Sequence, residues 1–132
     1  MIGRIINGLR RITGRDAADD GDQEGFVELI KWAEENNIGE DRIPREPSEL
    51  IGLNRLDLSF RRLQSLPETL GELALLTELD LRGNELKSLP ASIGDLSLLR
   101  RLDLKWNQLE TLPDSFAKLT GLTKLELGYN KM

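Results

Sequence analysis

At 132 residues, 39% hydrophobic and 31% charged with a net charge of −5, the chain has the size and balance of one globular domain. It holds neither histidine nor cysteine, which excludes Ser-His-Asp and Cys-His nucleophilic sites, Cys/His zinc sites, iron–sulfur clusters and disulfides. No run of about 18 apolar residues is present to span a membrane, and an acidic total with interspersed signs argues against a general nucleic-acid binder.

The first 15 residues carry Ile2, Ile5, Ile6, Leu9 and Ile12 at helical spacing, with Arg4, Arg10, Arg11 and Arg15 as their only charges. This is a short basic amphipathic segment. Arg and Asn interrupt its apolar residues, which argues against a signal peptide. It is expected to pack on the rest of the chain, with contact to a membrane surface as the alternative. An acidic linker is expected at 16–23, with Asp16, Asp19, Asp20 and Asp22. Residues 24–37 place Phe26, Leu29, Ile30 and Ala33 on one helical face, and Asn36-Asn37-Ile38-Gly39 reads as the stop.

From Leu53 onward one pattern returns every 23 residues: Leu53, Leu76, Leu99 and Leu122 are its first landmarks. Leu56-Asp57-Leu58, Leu79-Asp80-Leu81, Leu102-Asp103-Leu104 and Leu125-Glu126-Leu127 follow in register. So do Leu66-Pro67, Leu89-Pro90 and Leu112-Pro113, then Leu70, Ile93 and Phe116. Asn84, Asn107 and Asn130 fill one further column, which begins with Arg61. The Leu-x-Leu core has the period of two that a strand buried on one face requires. Proline then ends the ladder, and apolar residues three apart suit a helical or 3₁₀ return. No unit can bury its leucines alone, so the units must stack. A buried turn leaves backbone groups unpaired, and an Asn amide can both donate and accept to satisfy them.

The pattern resembles the leucine-rich repeat family in its 23-residue form, LxxLxLxxNxLxxLPxxhxxLxxL, as found in Ras-suppressor-like, plant intracellular Ras-group and bacterial proteins. The resemblance covers residues 43–132. It implies an α/β fold, a right-handed solenoid with a parallel sheet on its concave side, and a protein as partner. The units are 53–75, 76–98, 99–121 and a partial 122–132. Ile43-Pro44 and Leu50 sit 23 residues before Leu66-Pro67 and Leu73, so 43–52 reads as half a unit. The helix before it is expected to replace the missing half and serve as an N-terminal cap over residues 24–52.

Little of this is the makings of an enzyme. Asp57, Asp80, Asp103 and Glu126 form one outward column about 4.8 Å apart per strand. Carboxylates at that spacing have the chemistry to bind a divalent cation or to act as an acid/base pair. Six basic residues on the same strands favour a solvated, charge-balanced face instead, and no insertion shapes a cavity. No catalytic, cofactor or metal residue is therefore assigned. The binding candidates are Phe60, Arg82, Arg101, Lys105, Trp106 and Tyr129. Phe60, Gly83, Trp106 and Tyr129 share one column, with Gly83 as a notch beside Trp106. Aromatics and Arg are the residues that carry interface energy. The expected function is a non-catalytic protein-binding scaffold, with no nucleic acid as ligand. Its expected setting is cytoplasmic and bacterial, in signalling. The alternatives are a homodimer through the C-terminal edge, and a secreted bacterial effector or part of a larger signalling protein.

Overall fold

The computed structural model describes residues 17–132; the basic segment of residues 1–15 and Asp16 lie outside the described residues. Helix α1 spans Ala17–Glu35, so the stretch expected as a linker is the first part of a helix. The sequence reads as a linker there because no apolar period begins before Phe26. The helix stops where the Asn pair stands. Asn37 takes a left-handed φ of 58°. Asn37 N–H then donates to the Glu34 carbonyl at 3.2 Å and Ile38 N–H to the Ala33 carbonyl at 2.8 Å, the two bonds of a Schellman closure.

A short helix α2, Pro47–Ile51, leads into four strands: β1 Arg55–Asp57, β2 Glu78–Asp80, β3 Arg101–Asp103 and β4 Lys124–Glu126. They form one parallel sheet in the order β1-β2-β3-β4. Its register equals the sequence repeat, since Leu56 faces Leu79, Leu79 faces Leu102 and Leu102 faces Leu125. Between strands the chain returns through 3₁₀ turns at Glu68–Glu72, Ala91–Asp95 and Asp114–Lys118, each entered through an extended proline. Proline supplies no N–H there, and none is needed at the start of a turn.

The leucines of strands and turns meet between sheet and 3₁₀ layer in one continuous core. Phe26, Leu29, Ile30 and Ala33 of α1 belong to the same core, and Trp32 is partly buried against it. Neighbouring returns pack so closely that a Cβ on Gly94 would lie 2.4 Å from the Ser115 carbonyl oxygen, so only glycine fits. At the far end the cover thins. Leu125 is 37% exposed while its register partner Leu102 is 1% exposed.

The Asn column knits the turns together. Asn84 Nδ2 donates to the carbonyls of Leu58 and Leu81, both at 2.9 Å. Its Oδ1 accepts from the N–H groups of Arg61 and Leu63, both at 3.0 Å. Asn107 bonds to Leu81, Leu104 and Leu86 in the same way, and Asn130 to Leu104, Leu127 and Leu109. Each amide therefore serves its own unit and the one before it. Asn84 and Asn107 are buried, yet both ends of each amide have partners.

Candidate binding face

The strands hold Arg55, Glu78, Arg101 and Lys124 in one outward column, and Asp57, Asp80, Asp103 and Glu126 in the next. Together they line an open concavity of about 560 Å³, to which Arg42 contributes from the segment before the sheet. The aspartates have a local task. Asp57, Asp80 and Asp103 each accept the backbone N–H two residues on, from Ser59, Arg82 and Lys105, at 3.0–3.1 Å. That is an Asx turn, which closes the strand at its C-terminal end.

Their charges are also matched. Arg42 meets Asp57 at 2.9 Å. Arg82 grips Asp80 through Nε at 3.0 Å and Nη2 at 2.9 Å, and reaches Asp103 at 3.5 Å. Lys105 stands 3.9 Å from both Asp103 and Glu126. Partial burial would raise the Asp57 carboxyl. The hydrogen bonds from the Ser59 hydroxyl and N–H, with the charges of Arg42 and Arg82, outweigh it and hold the group below its ordinary value. The Asp80 hydrogen bond and charge push Arg82 further up. Among the described residues no three carboxylates gather as a metal-ligand set.

The other side of the face is aromatic. Phe60, Trp106 and Tyr129 have φ of 56°, 62° and 61°, and Gly83 in the same column has 69°. The column is thus the left-handed residue that turns the chain after each strand. Its N–H groups lock neighbouring units, Phe60 donating to the Arg82 carbonyl at 2.8 Å and Trp106 to that of Gly128 at 3.0 Å. A left-handed φ costs a side chain with a Cβ about 1–2 kcal/mol. Three aromatics bear that cost while staying 66%, 54% and 68% exposed. Trp106 and Tyr129 stack with centroids 3.9 Å apart and planes within 6°. The notch expected at Gly83 is filled by Phe60, whose ring atoms lie 2.2 Å from where a Gly83 Cβ would be. The Arg82 guanidinium sits 5.8 Å from the Phe60 ring centre.

Of the six residues singled out in the sequence, Phe60, Trp106 and Tyr129 share this ridge. Arg82 and Lys105 lie beside it but are engaged with the acidic column. Arg101 stands at the opposite, N-terminal end of its strand, exposed and with no carboxylate within 4.0 Å among the described residues. Sequence reasoning missed Arg42, which lies outside the repeat register, and the left-handed φ of the aromatic column. The glycine among its four members was the available signal for that conformation.

A family model described as a leucine-rich repeat region matches residues 37–131. A solved leucine-rich repeat protein of Leptospira interrogans is 31% identical with a TM-score of 0.57, the match covering 67% of this chain and 29% of that one. A TDR receptor is 32% identical with a TM-score of 0.54, covering 61% of this chain and 14% of that one. The chain thus spans less than a third of either structure. No curated protein matches it.

Proposed function

The chain belongs to the leucine-rich repeat family, and we propose that it is a non-catalytic module that binds a protein partner on its concave face. The contact residues of this reading are Phe60, Arg82, Arg101, Lys105, Trp106 and Tyr129. One observation carries it: three exposed aromatics occupy positions where the backbone favours glycine. Side chains that cost conformational energy and bury little surface are retained for what they touch outside the chain. Helix α1 in this reading caps the solenoid, packing against the first 3₁₀ return and closing that end of the core. A receptor among the similar structures is in keeping with a binding role.

The test is capture of partners from the source cell by the wild-type chain and by a Trp106→Gly/Tyr129→Gly variant. Glycine takes the left-handed φ without strain, so the variant keeps its backbone. A partner held by the wild type and lost by the folded variant is the expected result. A partner retained by both places the contact elsewhere. A second reading, self-association, draws on the exposure of Leu125. Light scattering over a concentration series separates it: a mass that stays at one chain rejects it.

A further inference from the structure

Resting on the concave-face reading, we infer that the partner segment is an extended, acidic polypeptide that seats an apolar side chain on Trp106 and Tyr129. The argument begins with which charges on the face are spent. Every carboxylate of the central column has a cation partner within 4.0 Å, and Glu78 of the next column has Arg55 at 3.5 Å. The cations do not come out even. Arg101 and Lys124 are register partners on β3 and β4, and both are exposed. Neither has a carboxylate within 4.0 Å among the described residues, and the same holds for the exposed Arg100 beside them. An acidic chain of net charge −5 therefore presents a local excess of positive charge at the start of its last two strands.

The same two strands end at the aromatic ridge, since Trp106 and Tyr129 follow β3 and β4. From Arg101 to Trp106 is five residues, or about 16 Å of extended chain. A partner segment running between them needs one or two Asp or Glu side chains about five residues from an aliphatic, aromatic or prolyl anchor. The neutralised belt between the two sites accepts backbone but gives no reward to a further charge of either sign. Exposed rings beside cations also suit single-stranded nucleic acid. The net negative charge of the chain disfavours a continuous polyphosphate, whereas a short acidic segment meets only the local cations.

The test is selection of displayed random peptides on the full chain, followed by titration of the enriched peptides as synthetic probes. The expected result is peptides that combine acidic residues with an apolar anchor, and whose affinity falls with added salt. Arg101→Glu/Lys124→Glu should weaken them about tenfold at low salt, and Trp106→Gly should weaken them at least as much. Enriched peptides that need Trp106 but carry no acidic excess and ignore the charge reversal overturn this inference and leave the concave-face reading standing. Peptides indifferent to both variants overturn both. Absence of enrichment, or tighter Arg101- and Trp106-dependent binding of an oligouridylate than of any selected peptide, also overturns the inference.

Discussion

Removing the Asn84 amide tests the account of what holds the turns. Asn84→Ala removes four hydrogen bonds: the N–H groups of Arg61 and Leu63 and the Leu58 carbonyl lose this partner outright, while the Leu81 carbonyl keeps its bond from Asn107. The site is buried, Asn84 being 6% exposed. At about 1 kcal/mol net per neutral hydrogen bond the loss comes to about 4 kcal/mol, less whatever a water in the vacated space restores. Asn130 makes the same kinds of bond to Leu104, Leu127 and Leu109, but it is only partly buried. Solvent can replace its amide, so Asn130→Ala should cost about 1–2 kcal/mol. Urea unfolding followed by tryptophan fluorescence and by far-ultraviolet circular dichroism measures both. The two signals must coincide before a free energy is taken from either. Equal losses for the two variants would refute the reasoning, because the cost would then not follow burial.

Leu29 is fully buried in the core that α1 shares with the repeats. Leu29→Ala should therefore cost about 2–5 kcal/mol and promote aggregation; an unchanged urea midpoint would rule out a capping role for the helix. The Asp57 carboxyl is held below its ordinary value of 3.8. The stabilisation it supplies is complete above that ordinary value and is lost as the pH falls through the lower folded one. With half its side chain in solvent the contribution is small. A carboxyl NMR titration showing Asp57 at or above 3.8 would contradict the hydrogen-bond and ion-pair geometry.

The solenoid was legible because its information is periodic. Leucine at every strand centre, proline before every return and asparagine after β2, β3 and β4 recur at one spacing, and the strand register reproduces that spacing. The face was legible only in part. That Phe60, Trp106 and Tyr129 point outward follows from the pattern. That Phe60 leans over Gly83 does not, because it depends on a ring rotating into space left by a missing Cβ. Nor could Arg82 and Lys105 be told from Arg101 by residue type. All three are cations on outward positions, and only three-dimensional distances reveal which ones the carboxylates have already engaged. The start of α1 was missed for a different reason. Its first turns hold no apolar residue before Phe26 other than Ala17 and Ala18, so the periodicity that marks a helix is absent there.

The double service of each Asn amide, to its own turn and to the preceding one, bears on how such a chain can change its length. Each interior block of 23 residues offers to the next the same groups that it receives from the one before. A block cut at any phase can be duplicated or deleted in the interior without leaving an unmet donor or acceptor. Misaligned recombination between units then yields folded products rather than broken ones. Each event adds or removes one row of the face, with its own carboxylate, its own cation and its own residue at the left-handed turn. Partner preference in a chain of this kind can therefore evolve by copying rows and then altering three exposed positions in each, while the core sequence stays as it is.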